Sequence, residues 1–361
     1  MRPREFMTRH WQRRPLLVRG ALPDFAPPLS RTELFALAAR DSVESRLVRK
    51  RGSRWSLAHG PLARSALPPA REPGWTLLVQ GVDLHHDGAR ALLEQFRFVP
   101  DARLDDLMIS WASDGGGVGP HVDSYDVFLV QARGTRRWRI ARRFDAALDK
   151  RAPLKVLRRF AAEEDYVLEP GDLLYLPPGW AHDGIAEGGD CMTCSIGMRA
   201  PQRGALGAEL AQRLAETYAD DVLYGDAGQR ATATPAAIPP ALAAFAADTV
   251  RRLVARPGAV ARALGEVLSE PKPRVWFTKR TAPRRLGAVA LDRCTRMLYD
   301  SRHLYVNGES VQVRGKDAAP LRRLADRRAL DARAVRAASP VVRKLLAEWL
   351  AAGWLCSTSD G

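Results

Sequence analysis

The most informative absences in this sequence of 361 residues are those of long apolar runs and of cysteine. No window of about 18 or more uncharged apolar residues occurs, so a membrane-spanning helix is not expected. The N-terminal stretch MRPREFMTRHWQRRP lacks an apolar segment followed by small residues, so no secretory signal is expected. Four scattered cysteines, Cys191, Cys194, Cys294 and Cys356, are too few for a disulfide framework. We therefore expect a cytoplasmic protein with reduced thiols.

Acidic residues are also scarce relative to basic ones, and the formal net charge is +15. Residues 272–361 hold 19 Lys or Arg against 8 Asp or Glu, a net charge of +11. Such an excess favours a polyanionic partner such as RNA. The alternative is that arginine occupies ordinary solvated positions, because basic and aromatic residues do not alternate as in an RNA-binding module. The length and the 46% hydrophobic content indicate a globular protein of two or three domains.

Patterns along the chain predict three regions. An edge strand over 14–20, a helix over 32–39 and many short strands from about 75 to 198 indicate an all-β barrel or sandwich. Alanine- and leucine-rich segments near 204–219, 240–255 and 258–268 predict helices. Further on, Asn307-Gly308 predicts a hairpin turn, and Ser339-Pro340 begins a helix over 341–352 that Gly353 ends. A hairpin and helices in this final part predict a winged-helix unit.

The chemistry is concentrated in GGGVGPHVDSYDVFLVQ, where a glycine-rich loop leads into an apolar strand. Residues two apart in a strand point to the same face, so His121 and Asp123 project together into the barrel. Two histidines and one carboxylate form the facial triad of non-haem Fe(II) oxygenases, which leaves positions open for cosubstrate and dioxygen. The third ligand must therefore be a histidine from another strand.

His182 is the predicted third ligand, because it follows an apolar strand and a Pro-Pro-Gly corner in LEPGDLLYLPPGWAH. The alternative is that His121 and Asp123 form a hydrogen-bonded core pair while His182 lies at the surface. That alternative leaves the four glycines before His121 unexplained. His-x-Asp, Glu-Pro-Gly-Asp and Pro-Pro-Gly-x-x-His, in this order, resemble the cupin core of Jumonji-C oxygenases. The resemblance implies a mainly β fold, the double-stranded β-helix.

Arg136 is a candidate ligand for an anion, because alternation in RRWRI places it on the side of Trp138 and Ile140. If that side is the interior, the guanidinium needs an anionic partner. The distal carboxylate of 2-oxoglutarate is our candidate, since a guanidinium pairs with a carboxylate through two hydrogen bonds. The alternative is a salt bridge to a neighbouring aspartate.

A narrower resemblance, to the bacterial ribosomal oxygenases, extends over essentially the whole chain. It is carried by residues 10–20, by DDLMIS at 105–110, by the GGGVGPHVDSYDVFLVQ segment and by SIGMRAP at 195–201. That family hydroxylates an arginine side chain on a protein of the large ribosomal subunit. The resemblance implies Fe(II), 2-oxoglutarate and dioxygen as reactants, with Ser110 and Arg136 binding 2-oxoglutarate. It also implies that Tyr125 and Asp114 lie near the substrate side chain.

The same resemblance implies three domains: a Jumonji-C cupin domain (1–202), a helical dimerisation segment (203–270) and a winged-helix-like domain (271–361). We accordingly expect a homodimer, contact with ribosomal RNA and no contact with a membrane. A cationic substrate in a cationic protein needs local acid at the mouth of the site, where Asp114 and Asp126 are the nearest candidates.

Two alternatives to this function stay open. The same iron site could act on a histidine or another protein side chain, or demethylate a lysine. In the other alternative the protein is a nucleic-acid-binding regulator, with a basic face built from the hairpin at 303–313 and the helix at 341–352. Arg and Asp are interleaved over 321–336 rather than clustered, which counts against that second alternative.

Overall fold

The computed structural model describes residues 2–281 and 285–358. The chain divides into two compact units, Met1–Ala200 and Pro201–Gly361. Within the described ranges, no helix has both the length and the apolar character needed to cross a bilayer.

The first unit is built mainly of antiparallel strands, as predicted. Its helices are α1 (Pro3–Arg9), α2 (Arg31–Ala38) and α3 (Asp87–Glu94). Its strands are β1 (Leu16–Val18), β2 (Ser45–Arg51), β3 (Arg54–His59), β4 (Trp75–Val79), β5 (Leu104–Ala112), β6 (His121–Val122), β7 (Asp126–Ala141), β8 (Glu164–Leu168), β9 (Leu173–Leu176) and β10 (Ala181–Met198).

Ten strands form one sheet in the order β1-β9-β7-β10-β5-β4-β2-β3, while β6 pairs with β10 and β8 pairs with β7. The two longest strands, β7 and β10, lie side by side at its centre. Their register shifts between Glu187 and Met192, where Gly188, Gly189 and Asp190 have positive φ angles. Because this irregularity bends β10, its first half pairs with β6 and its second half with β5. The predicted β core is confirmed, and β1 is an edge strand as expected.

Local sequence explains the helix ends in this unit. Ser30 and Glu33 form a reciprocal capping box at the start of α2. The Nδ1 atom of His86 accepts hydrogen bonds from the backbone amides of Gly88 and Ala89 at the start of α3. His86 is therefore a helix cap in this structure.

Two main apolar clusters lie in the first unit, beside a third and much smaller one formed by Ala112, Ala186 and Cys191. The larger contains Trp75 and Trp111, whose rings are 4.6 Å apart, with Phe35 against both. The smaller includes Trp138, Ile140 and neighbouring leucines. Burial of each large side chain stabilises the fold by roughly 1.5–3 kcal/mol. The smaller cluster packs the strands that carry the candidate site.

The second unit begins with three helices, α4 (Arg203–Glu216), α5 (Pro240–Ala255) and α6 (Ala259–Ser269), which confirm the predicted helical segments. The remaining elements are β11 (Ala288–Leu291), β12 (Met297–Tyr299), β13 (His303–Val306), β14 (Glu309–Gln312), α7 (Ala318–Arg327), β15 (Ala329–Leu330), α8 (Ala332–Ala337), α9 (Pro340–Ala351) and β16 (Leu355–Thr358). They form two three-stranded sheets, β15-β11-β16 and β12-β13-β14, with three helices.

Both turn predictions for this part are confirmed. Asn307 and Gly308 have φ angles of 50° and 87° between β13 and β14, as a two-residue hairpin of this kind requires. The hydroxyl of Ser339 accepts a hydrogen bond from the Val342 amide at the start of α9. At the end of α9, Gly353 has a φ of 80°, and a Cβ there would lie 2.3 Å from the carbonyl oxygen of Thr278. Only glycine fits that position.

Candidate metal centre

Three side chains converge between β6 and β10. His121 and His182 are register partners across these antiparallel strands, and Asp123 follows β6 directly. One carboxylate oxygen of Asp123 lies 3.6 Å from Nε2 of His121 and 3.6 Å from Nε2 of His182. Their ligand atoms all lie within 4.8 Å of one another, and among the described residues this is the one such group of three.

The imidazole rings are oriented by backbone carbonyls. Nδ1 of His121 lies 2.9 Å from the carbonyl oxygen of Gly119, and Nδ1 of His182 lies 3.0 Å from that of Trp180. Because a carbonyl only accepts hydrogen bonds, each Nδ1 carries the proton and each Nε2 is free to bind a metal ion. The donor set of two imidazole nitrogens and one carboxylate suits Fe(II) with open coordination positions.

The electrostatics of the triad favour an ionised Asp123 and a neutral His182, as a metal requires, whereas they favour protonation of His121. Burial alone would raise the pKa of the Asp123 carboxyl, but the contact with His121 and the nearby positive charges lower it to about 2. Burial, together with the charge of His121, lowers the pKa of His182 to about 4. Burial would lower the pKa of His121 as well, but Asp123 outweighs this effect and raises it. A cation between the three groups would compete with the protonation of His121 that Asp123 favours.

The loop before His121 requires glycine because it packs closely against the backbone of other strands on both sides. A Cβ at position 116 would lie 2.4 Å from the carbonyl oxygen of Trp75, and one at position 117 would lie 2.6 Å from that of Gly184. Larger residues would therefore push the loop, and His121 with it, away from β10. This accounts for the glycines that precede the predicted ligand.

A cavity of about 540 Å³ extends from the triad into the sheet. Arg136 lines it and is only 5% exposed. Its Nη1 lies 3.3 Å from the hydroxyl oxygen of Ser110, and its guanidinium lies 5.7 Å from the Trp138 ring. Nε and Nη2 of Arg136 are buried and have no hydrogen-bond partner in the described part of the chain. A buried guanidinium with two unused donors is costly unless an anion binds, so the residues fit a dicarboxylate.

Two residues were predicted to lie near the substrate side chain, Tyr125 and Asp114. Tyr125 lines the cavity, and burial, followed by the charge of Asp105, raises the pKa of its hydroxyl. Asp114 is not among the described residues that line this cavity, because it lies beyond β5 and its carboxylate accepts a hydrogen bond from the Gly188 amide. Asp126 is fully buried and bonded to Tyr175, among other residues, which makes its role structural.

Apart from the triad residue Asp123, the carboxylates that line the cavity belong to Asp105 and Asp106, at the start of β5. We refer to these two residues and Tyr125 as the acidic wall. Alternation along β5 could have identified Asp106, because residues 106, 108 and 110 share one face and Ser110 was already a candidate. The side-chain amide of Gln80 connects Asp106 to Arg46, which also lines the cavity. It donates a hydrogen bond to Asp106 at 3.2 Å and accepts one from Arg46 at 3.2 Å. Nothing in the sequence near the motifs indicated Arg46 or Gln80, because both come from distant strands.

Comparison with known proteins gives consistent matches. The sequence matches the JmjC domain family over residues 91–206 and the ROXA-like winged helix family over residues 252–356, which confirms the winged-helix prediction. The ribosomal protein uL16 3-hydroxylase of Escherichia coli is 37% identical over 269 residues, 74% of this chain and 71% of its own length. A probable ribosomal oxygenase of Haemophilus influenzae is 36% identical over 204 residues, 55% of this chain and 50% of its own.

Solved structures agree with the sequence matches. The X-ray structure of E. coli YcfD superposes with a TM-score of 0.87 at 32% identity, covering 99% of this chain and 98% of its own. A structure of YcfD, a ribosomal oxygenase, in complex with cobalt and 2-oxoglutarate superposes with a TM-score of 0.82 at 31% identity, covering 99% of both chains. Shorter matches reach proteins named bifunctional lysine-specific demethylase and histidyl-hydroxylase NO66, such as that of Drosophila persimilis, 39% identical over 77 residues, 20% of this chain and 10% of its own.

Proposed function

This chain belongs to the Jumonji-C ribosomal oxygenases, 2-oxoglutarate-dependent dioxygenases, and we propose that it hydroxylates an arginine side chain of a large-subunit ribosomal protein. The E. coli relative is named for hydroxylation of ribosomal protein uL16 at a 3-position, and the counterpart of uL16 is the proposed substrate here. The reaction is proposed to take place in the cytoplasm, where ribosomes are assembled.

One observation carries the proposal more than any other. The Nε2 atoms of His121 and His182 and a carboxylate oxygen of Asp123 lie within 4.8 Å of one another, beside a cavity that also contains the Arg136 guanidinium. Two nitrogens of that guanidinium have no hydrogen-bond partner among the described residues. A cation site beside an anion site matches a metal and a dicarboxylate bound together. The cobalt and 2-oxoglutarate in the YcfD structure are such a pair.

In this proposal His121, Asp123 and His182 hold Fe(II), while Arg136 and Ser110 hold the distal carboxylate of 2-oxoglutarate. When bound, these reactants and dioxygen supply the oxidising power, and 2-oxoglutarate leaves as succinate and carbon dioxide while one oxygen atom enters the substrate C–H bond. The chain orients the reactants through fixed imidazoles and a bidentate guanidinium. Apolar lining residues such as Leu129 and Trp138 exclude water from the reacting atoms.

The acidic wall supports a cationic target side chain. Asp105 and Asp106 line the cavity together with the aromatic ring of Tyr125. A carboxylate pairs with a guanidinium through charge-assisted hydrogen bonds, and a tyrosine ring offers it a stacking surface. Asp105 is paired with Arg199 at 2.8 Å, and Asp106 accepts hydrogen bonds from Gln80 and from the Gly81 amide at 3.2 and 2.9 Å. We assign the contact with the substrate guanidinium to this pair of carboxylates, with Asp106 as the residue to test.

The proposal also covers assembly and partners. We divide the chain into a Jumonji-C cupin domain (1–202), a helical segment (203–270) and a winged-helix-like domain (271–361), and assign homodimer formation to the helical segment. Helix α5 has no buried residue, and its Leu242, Val250 and Val254 are exposed apolar side chains that a second copy would cover. Contact with ribosomal RNA is assigned to the basic C-terminal part.

A second candidate function is hydroxylation of histidine or demethylation of lysine at the same iron site. The short matches to the NO66 proteins favour it, but they span only about a fifth of this chain. A regulator that binds nucleic acid without turnover is the third. The first two differ in the modified residue, and the third forms no product, so a single assay can separate them.

The assay is aerobic incubation of the protein with Fe(II), 2-oxoglutarate and recombinant uL16, followed by tandem mass spectrometry. We expect one arginine to gain a single oxygen atom, coupled to succinate formation. His121→Ala and Asp123→Ala should abolish both products, whereas the exposed His59 on β3 provides a matched control as His59→Ala. Oxygen on a histidine, or lysine demethylation, would replace the arginine assignment, and an absence of succinate from every substrate would overturn the oxygenase proposal.

A further inference from the structure

The C-terminal unit contains a separate cavity of about 480 Å³. It is formed by the turn before β13, the end of β14 and the start of α7. Three arginines line it, Arg302, Arg314 and Arg322, and its other lining residues are neutral. Within the described ranges, no carboxylate-bearing residue contributes to its wall. The cavity therefore concentrates positive charge in a concave surface, which strengthens the local field.

No carboxylate within residues 2–281 and 285–358 forms an ion pair with these three arginines. Arg322 donates hydrogen bonds to the carbonyl oxygens of Asp300 and Ser301 at 3.1 and 3.2 Å, and its guanidinium lies 5.3 Å from the Tyr299 ring. Such contacts hold the guanidinium in place without removing its charge. Arg302 and Arg314 are exposed and form no ion pair with any residue that the structure describes.

The neighbouring carboxylate is already engaged. Asp300, two residues before Arg302, accepts hydrogen bonds from the backbone amides of Arg302 and His303 at 2.7 and 2.6 Å and from the Tyr305 hydroxyl at 2.6 Å. These three donors satisfy most of what one carboxylate can accept. The three guanidinium groups therefore remain available to an external anion.

Helix α9 was the other candidate surface for nucleic-acid binding, and its basic side chains already have partners. Arg343 donates to the carbonyl oxygens of Arg336 and Ala338, and Lys344 lies 3.9 Å from a carboxylate oxygen of Glu348. A winged helix that reads duplex DNA places such a helix in the major groove with free basic side chains. At the arginine cavity, by contrast, Arg302 and Arg314 are exposed and form no ion pair with a described residue.

We propose that the cavity lined by Arg302, Arg314 and Arg322 binds backbone phosphates of RNA. A guanidinium matches the geometry of a phosphate and is the side chain best suited to bind it with two hydrogen bonds. The net charge of +11 over residues 272–361 favours the same polyanion at longer range. The choice of RNA as the polyanion rests on the proposed ribosomal function; the anion site itself does not.

The test measures binding of a fluorescein-labelled single-stranded RNA to the full-length protein by anisotropy across a range of potassium chloride concentrations. Each lost phosphate contact lowers the slope of log K against log salt by about 0.7 for a single strand. Arg302→Gln/Arg314→Gln should therefore lower the slope by about 1.4 and weaken binding by about tenfold near physiological salt. Arg302→Lys/Arg314→Lys keeps the charge and should keep most of the slope.

The matched control is Arg333→Gln/Arg336→Gln, which removes two exposed arginines of α8 away from the cavity. If both double variants lower the slope equally, the effect is one of bulk charge and the site is disproved. Tighter binding of duplex DNA than of RNA by the wild type would overturn the assignment to RNA. Thermal unfolding of each variant checks folding, and succinate formation is measured separately, so failure here is distinct from failure of the oxygenase proposal.

Discussion

The imidazole rings of His121 and His182 lie 4.2 Å apart, at paired positions of two antiparallel strands. Without a cation between them, two imidazoles beside one carboxylate compete for a proton, and each desolvates the other. With a cation, both Nε2 atoms and the Asp123 oxygen have a common partner. The stability of this region should therefore depend on metal more strongly than that of the rest of the protein.

Substitution of a triad residue is expected to abolish metal binding and leave the fold intact. For His182→Ala we expect the affinity for Co(II) to fall by more than about 100-fold, because even partners of the ligands typically contribute 10–100-fold. Isothermal titration calorimetry measures the affinity. The exposed His59→Ala variant should bind as the wild type does. Undiminished Co(II) affinity in His182→Ala would remove this histidine from the site.

Arg136 should have opposite effects on the free and on the ligand-bound protein. Its guanidinium is buried with two donors unused, so Arg136→Met is expected to raise the melting temperature of the ligand-free protein. The same variant should lose the stabilisation that 2-oxoglutarate with metal confers on the wild type, because binding to the native state stabilises it. Differential scanning fluorimetry measures both.

The control for Arg136 is its neighbour Arg137, which points to the other face of β7. Arg137 is paired with Glu187 at 2.6 Å and Asp165 at 3.0 Å at the surface. Arg137→Met should respond to 2-oxoglutarate as the wild type does. Equal loss in both variants would mean that strand β7, rather than a specific anion contact, is responsible.

The structure and the sequence point to different aspartates as the contact for the substrate side chain, Asp106 and Asp114 respectively. Asp106 lines the cavity, whereas Asp114 is bonded to the Gly188 amide outside it. We expect Asp106→Asn to raise KM for a uL16 peptide by about tenfold or more, the cost of a charged hydrogen bond. Asp114→Asn should change KM by less than about twofold, since exposed polar substitutions are usually near neutral. KM is measured in steady-state succinate assays. A larger rise in KM for Asp114→Asn than for Asp106→Asn would support Asp114 as the residue near the substrate.

Strand periodicity explains why so much of the site followed from sequence. Asp123 comes two residues after His121, directly after β6, and Arg136 shares a face of β7 with Trp138, so alternation predicted the common direction of each pair. The helices at Arg203–Glu216 and Pro240–Ala255 lie within a few residues of their predicted bounds, because composition and proline mark their ends. These are local signals.

Non-local pairing explains what was missed. Arg46 reaches the cavity because β2 pairs with β4, and β4 with β5, a sequence of pairings that no motif records. Asp114 lies outside the cavity lining because it follows the strand that carries Ser110, and β5 ends at residue 112. Its partner, Gly188, lies at the register shift of β10, which depends on the tertiary fold.

A pH dependence of stability is expected from Asp172, which accepts hydrogen bonds from Arg19 at 2.6 Å and from the amides of Gly20 and Glu169 at 2.9 and 3.0 Å. Burial raises the pKa of this carboxyl, but the three donors outweigh it and lower the pKa below its ordinary value. A depressed folded pKa stabilises the fold above the unfolded value of about 3.9. That contribution disappears as the pH falls through the folded pKa.

Asp172→Asn should therefore reduce the free energy of unfolding by about 2 kcal/mol at neutral pH, since hydrogen bonds to a charged group contribute about 1.5–3 kcal/mol. The difference between variant and wild type should shrink below about pH 4. Urea denaturation at both pH values measures it, with the exposed Asp165→Asn as control. A difference that stays constant with pH would mean that the carboxylate charge has no part in it.

Gly184 is expected to link packing to cosubstrate binding. A Cβ at this position would lie 2.6 Å from two carbon atoms of the Trp138 ring, so Gly184→Ala must displace that ring. Overpacking of this kind typically costs about 1–3 kcal/mol of stability. Trp138 lies 5.7 Å from the Arg136 guanidinium and 5.9 Å from the His182 ring, so its displacement should weaken binding of 2-oxoglutarate as well. The control is Gly204→Ala in helix α4, where a Cβ meets no atom within 4 Å.

Thermal unfolding and the KM for 2-oxoglutarate, measured on the same preparations, separate the two effects. A lower melting temperature with an unchanged KM would mean that the ring moves without affecting Arg136. A raised KM in Gly184→Ala but not in Gly204→Ala is the expected result, because the guanidinium lies against the displaced ring. The double variant Gly184→Ala/Trp138→Phe should regain part of the lost stability. The atoms that the new Cβ meets belong to the six-membered ring of the indole, and the smaller phenyl ring relieves that clash.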